Sequence, residues 1–116
     1  MVMAHPHDVP TSAQLLEAVR QWLERDVMPA VDARLQFHGR VAMNLLAMVE
    51  REIEIGPDQA LEHSQRLSTL GCADDSELAQ RIKNGEMDDR LDEVRALVYA
   101  SVIDKLQVAN PKYLEK

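Results

Sequence analysis

The sequence predicts an all-α fold, a compact bundle of about five helices (three long and two short) behind an extended N-terminal leader. Three observations lead there. Only 3% of the 116 residues are aromatic, so a core must be built from Leu, Val, Ile, Met and Ala, whereas sheets draw most on aromatic and β-branched residues. Apolar residues recur at three- and four-residue steps in several windows. No segment alternates with a period of two for long enough to make a strand. At 116 residues the chain holds one core, so the expected organisation is a leader over residues 1–10 and a single domain over 11–116.

The leader, MVMAHPHDVP, has two prolines and no period. Thr11 and Gln14 then occupy the N-cap and N3 positions of a first helix, where each side chain can reach the other's backbone amide. Leu15, Leu16, Val19, Trp22, Leu23 and Val27 form its apolar stripe, and Pro29 ends or kinks it. A second helix is expected from about Asp32 to Ile55, roughly 35 Å long. Its apolar positions, among them Leu35, Val41, Ala42, Leu45, Leu46, Val49 and Ile53, cover more than one stripe, which predicts a central helix contacted on two sides. Gly56 is read as a left-handed C-terminal residue and Pro57 as the first residue of a third helix running to Leu70, a helix–turn–helix corner. Gly71 closes that helix. Asp74 and Glu77 open a short fourth helix with a carboxylate version of the capping box, and Gly85 ends it. A fifth helix runs from near Asp88 to about Ala109, where Asn110-Pro111 stops it. The tail beyond, with Tyr113 and Leu114, is expected to fold back on the core, with a docking peptide as the lesser reading.

Charge narrows the function classes. The net charge is −7, and no Lys/Arg cluster offers a footprint for nucleic acid or an anionic membrane. No uncharged stretch approaches the ~20 residues of a spanning helix. The first ten residues lack the basic and apolar regions of a signal peptide. One cysteine, Cys72, excludes an internal disulfide and suits a reducing compartment, so the cytoplasm is expected.

Catalytic chemistry finds little support. His5, His7 and Asp8 lie close together, but a metal needs three or four ligands fixed by further contacts, which a leader does not supply; a metal-dependent enzyme is the weakest reading. Cys72 precedes Asp74 and Asp75, which oppose a thiolate. The serines lack a G-x-S-x-G elbow, and the glycines form no phosphate loop. Neither a catalytic residue nor a cofactor is expected.

The second helix carries the candidate site. Phe37, Arg40, Asn44, Met48 and Arg51 share one face, and Arg34 and His38 border it. A face mixing Phe, Met, Arg and Asn suits a protein interface, and Gly39, costly inside a helix by about 1 kcal/mol, suits close approach of another backbone. The competing reading makes Phe37 core, pairs the two arginines with acids such as Glu54, and leaves Gly39 merely tolerated.

The segments HPHDVPTSAQLLEAVRQWLERDVMPA, RLQFHGRVAMNLLAMVEREIEIGP, DDSELAQRIKNGEMDD and DKLQVANPKYL resemble the DUF6285 family of small bacterial proteins over almost the whole chain. The resemblance implies company rather than chemistry. Members occur beside a kinase of the aminoglycoside-phosphotransferase type and an acyl-CoA dehydrogenase-like enzyme. One is the small accessory subunit of the levulinate-catabolism kinase, which phosphorylates the 4-hydroxyl of a 4-hydroxyacyl-CoA. By that likeness the chain is expected to be a non-catalytic subunit of a hydroxyacyl-CoA kinase in short-chain acid catabolism, with ATP held by the kinase. The alternative is a free-standing helical acyl or acyl-CoA binding protein, and a homodimer in isolation is compatible with both.

Overall fold

The computed structural model describes residues 6–115. The chain is all-α, with no strand among the described residues. Its helices are α1 (Ser12–Trp22), α2 (Ala33–Thr69), α3 (Asp75–Lys83) and α4 (Leu91–Ala109). The chain divides into two units, residues 1–54 and 55–116.

The first unit begins with α1. Thr11 caps it as the sequence predicts: Gln14 N donates to Thr11 Oγ1 at 3.1 Å, and Thr11 N donates to Gln14 Oε1 at 2.8 Å. Past Trp22 the helix widens into a π turn over Leu23–Val27 and tightens into a 3-10 turn over Met28–Ala30. Pro29 explains the change, since it has no amide for the Arg25 carbonyl and its ring crowds that carbonyl. Asp32 caps α2, its carboxylate accepting from Leu35 N at 3.0 Å.

The expected corner at Gly56-Pro57 does not form. The two helices placed either side of it are one helix of 37 residues, Ala33–Thr69, with Pro57 inside. Gly56 is not among the glycines with positive φ, so it continues the helix instead of ending it. The pairing itself supplies the reason. A residue before proline avoids the helical region because its Cβ and amide meet the proline ring, and glycine removes the Cβ half of that clash. The Ile53 carbonyl still loses its usual donor. The boundary between the two units falls two residues before Gly56.

The second unit folds around Leu67, Leu70, Cys72, Leu78, Met87, Val94 and Leu97, all buried. Two glycines make its turns. Gly71 has φ +74° and Gly85 φ +79°, where only a residue without Cβ is unstrained. At each, the two bonds of a Schellman cap close the helix: Cys72 N to Leu67 O and Gly71 N to Ser68 O, both 2.9 Å, then Glu86 N to Arg81 O at 2.9 Å and Gly85 N to Ile82 O at 3.1 Å. The first cap carries Cys72 into the core beside Leu67, which gives the cysteine a packing role. Asp74 caps α3 by accepting from Glu77 N at 2.8 Å, and Glu77 reaches back one residue further than expected, to Ala73 N at 3.0 Å. A 3-10 turn over Asp88–Arg90 leads into α4. After Asn110 the tail forms a 3-10 turn over Pro111–Glu115, leaving Tyr113 exposed and Leu114 half-buried.

Candidate functional site

The first unit is short of a core. Among its described residues Ala13 is the one buried apolar side chain, while Leu15, Val19 and Trp22 on α1 and Phe37, Val41, Leu45, Val49 and Ile53 on α2 are exposed. The side of α2 turned to the preceding segment is marked by three contacts. Glu50 accepts from Arg20 Nε at 2.7 Å and from Arg20 Nη2 at 3.3 Å. The Glu50 carboxylate, first by hydrogen bonding and then by charge, holds the Arg20 guanidinium above its ordinary pKa. Gln36 Nε2 donates to the Met28 carbonyl at 3.1 Å. A Cβ at Gly39 would overlap Met28 Sδ, so it is a methionine side chain, and not a second backbone, that approaches this glycine.

The candidate interface lies away from those contacts. Arg34, Phe37, His38, Arg40 and Asn44 are exposed, and Met48 and Arg51 are half-buried. Phe37 is 58% exposed, which removes the reading that made it core, and its ring meets His38 edge-on at 5.5 Å and 75°. Roughly a quarter-turn further round, a second and purely apolar ridge is exposed: Val41, Leu45, Val49 and Ile53, with Phe37 at its end. The periodicity counted Val41, Leu45, Val49 and Ile53 among apolar positions that cover more than one stripe. Among the described residues of the first unit α1 reaches α2 through Arg20 and Glu50, and the five positions of this ridge stay exposed.

Two arrangements in the second unit were not foreseen. His63, Asp75 and Ser101 form a hydrogen-bonded chain, with His63 Nε2 2.8 Å from Asp75 Oδ1 and Ser101 Oγ 3.2 Å from His63 Nδ1. The residues have the composition of a hydrolytic triad. Ser101 has one hydroxyl hydrogen, and its shorter contact, 2.9 Å, is to the Leu97 carbonyl, which can only accept. Asp75 can only accept, so its contact takes the hydrogen of a singly protonated ring at Nε2. Nδ1 and the Leu97 carbonyl then share the one Ser101 hydroxyl hydrogen, with the shorter contact to Leu97. Ser101 also lies inside α4, where backbone amides are spent on the helix and cannot form an oxyanion hole. The chain ties α2, α3 and α4 together. No local sequence signal marks it, since the three residues are brought together from three helices.

The other arrangement is an open concavity of about 330 Å³ lined by Arg66, Thr69, Leu70, Glu93, Ala96 and Leu97. Its charged groups already have partners. Arg66 Nη1 donates to Asp104 Oδ2 at 3.1 Å. Arg90 Nη2 donates to Glu93 Oε2 at 2.6 Å and to the Thr69 carbonyl at 3.1 Å. That hydrogen bond holds the Glu93 carboxyl below its ordinary pKa and the Arg90 guanidinium above its own. The expected leader cluster includes His5, which lies outside the described residues. Among the described residues no group of three His, Cys, Asp or Glu side chains converges to hold a metal, and no helix is long and apolar enough to cross a membrane.

Fold and site together define an all-helical protein with an uncovered, partly apolar helix face. The chain belongs to the DUF6285 family, a domain of unknown function, whose model matches residues 29–113. Among curated proteins and among solved structures, none matches it.

Proposed function

We propose that this protein is a non-catalytic accessory subunit of a phosphotransferase-type kinase that acts on a hydroxyacyl-CoA in cytoplasmic short-chain acid catabolism. The observation that carries the reading is the state of the first unit, where among the described residues a single alanine is buried and the outward side of α2 offers exposed Phe37, Arg40 and Asn44 beside half-buried Met48 and Arg51. Exposed apolar area of this kind, interleaved with Arg and Asn, has the composition of interface cores. The kinase is named from the resemblance of the quoted segments to the small subunit of the levulinate-catabolism enzyme. In this reading ATP, Mg²⁺ and the phosphoryl-transfer residues reside in the partner. An acyl-CoA dehydrogenase of the same pathway is a neighbour in metabolism.

Co-expression with the phosphotransferase encoded next to it, followed by size exclusion, tests the proposal. One co-eluting peak is expected, with ATP turnover on a hydroxyacyl-CoA that falls when the small chain is withheld. Arg40→Glu and Asn44→Asp should separate the two proteins without loss of helical circular dichroism. Separate peaks together with unchanged turnover would overturn it.

A further inference from the structure

We infer, resting on the kinase reading above, that the kinase surface covering α2 is an acidic patch around an apolar recess. The recess takes the Phe37 ring, and carboxylates on either side of it take Arg34 and Arg40.

Helix geometry sets this layout. Arg34 and Arg40 lie three residues before and three after Phe37. Each is therefore about 60° round the axis from the ring, on opposite sides, and the two are about 9 Å apart along it. Phe37 is 58% exposed and both arginines are exposed.

The sequence leaves these two guanidiniums without partners. Elsewhere a carboxylate three or four residues away is at hand: Glu62 for Arg66, Glu77 for Arg81, Glu93 for Arg90 and Asp92 for Arg95. At that spacing Arg34 has Ala30, Val31, Phe37 and His38, and Arg40 has Gln36, Phe37, Met43 and Asn44. Residues 33–49 contain no Asp or Glu, although the chain has 20 of them and a net charge of −7. Arg20 finds its acid across helices, in Glu50; among the described residues neither Arg34 nor Arg40 has an ion-pair partner.

In water such charges are well solvated. A partner that covers Phe37 also takes water from the guanidiniums beside it, and a buried charge left unpaired is heavily penalised. The covering surface must therefore bring carboxylates to both flanks. The same stretch of a second copy brings cations instead. Val41 and Leu45, exposed beyond Phe37, call for apolar contact as well, which a protein surface offers and a free phosphate ligand does not.

Binding of the full chain to the neighbouring phosphotransferase, titrated at about 50 and about 500 mM NaCl, tests this. The wild-type pair should bind roughly ten-fold less tightly at the higher salt. Arg34→Gln and Arg40→Gln should each weaken it roughly ten-fold at low salt and flatten the salt dependence. Phe37→Ala should weaken it and leave the salt dependence as it was. Arg40→Lys keeps the charge and supplies an amine, which carbodiimide should join to an Asp or Glu of the kinase as an amide, with loss of water. That cross-link, read by peptide mass, decides the matter even where a glutamine variant unfolds. Affinity that ignores both salt and the glutamine variants overturns the acidic patch and leaves the kinase reading standing. So does an amide formed from position 40 to another copy of this chain. Absence of any complex at either salt overturns the kinase reading and the patch together.

Discussion

Arg20 grips Glu50 through two hydrogen bonds, 2.7 and 3.3 Å long, joining α1 to α2 across thirty residues of sequence. The Glu50 side chain is 13% exposed and that of Arg20 28%, so losing one partner has unequal consequences. Arg20→Ala strands a carboxylate with little water and should cost about 1–2 kcal/mol. Glu50→Ala leaves a guanidinium that can still reach solvent and should cost less. Urea unfolding followed by circular dichroism measures both, and equal losses would contradict this account.

Gly56 and Pro57 should be coupled with a change of sign. Pro57→Ala returns a donor to the Ile53 carbonyl and should stabilise by about 2 kcal/mol, the helix-interior cost of proline less its effect on the unfolded chain. Gly56→Ala should destabilise when Pro57 is present, because the new Cβ meets the ring. With alanine at position 57 it should instead stabilise by up to about 1 kcal/mol. A double-mutant cycle in urea reads the sign directly.

The Met28 side chain fills the space a Cβ at Gly39 would take. Gly39→Ala therefore sets a gain in helix propensity against displacement of a flexible thioether, and its net effect should be small. In a Met28→Ala background the displacement disappears, and the same change should stabilise by about 1 kcal/mol. Equal effects in both backgrounds would show that Met28 is not the constraint.

Cys72 is 3% exposed and packs with Leu67 and Leu70. A thiol reagent such as dithionitrobenzoate should leave the folded protein unmodified and react once denaturant is added. Cys72→Ser should cost about 1–2 kcal/mol by placing a hydroxyl in that core. Met87→Ala, in the same cluster, should cost about 2–5 kcal/mol.

Ser101 Oγ donates to the Leu97 carbonyl at 2.9 Å from within α4, where no backbone amide is left to form an oxyanion hole. A fluorophosphonate probe should not label it. Ser101→Ala should lower stability by about 1 kcal/mol or less through loss of its link to His63. Labelling at Ser101 would revive the hydrolytic reading.

Much of the helical framework was legible residue by residue. The box of Thr11 and Gln14, the cap at Asp74, the left-handed turns at Gly71 and Gly85 and the stop at Asn110-Pro111 are each settled by atoms within a few residues of one another. Gly56-Pro57 looked equally local and was not. The same dipeptide permits a corner or an unbroken helix, and the loss of one Cβ is enough to allow the second. The periodicity of α2 likewise showed more than one apolar stripe and predicted contact on two sides.

What the sequence determined by itself was the all-α class, the caps, and the absence of any local catalytic motif, because these depend on neighbours along the chain. What the tertiary structure decided was which apolar stripe stays exposed, that Phe37 is surface and Cys72 core, and that His63, Asp75 and Ser101 meet. Those outcomes depend on which elements pack together. A period of three and four residues states that a face is apolar, and it says nothing about what comes to lie on it.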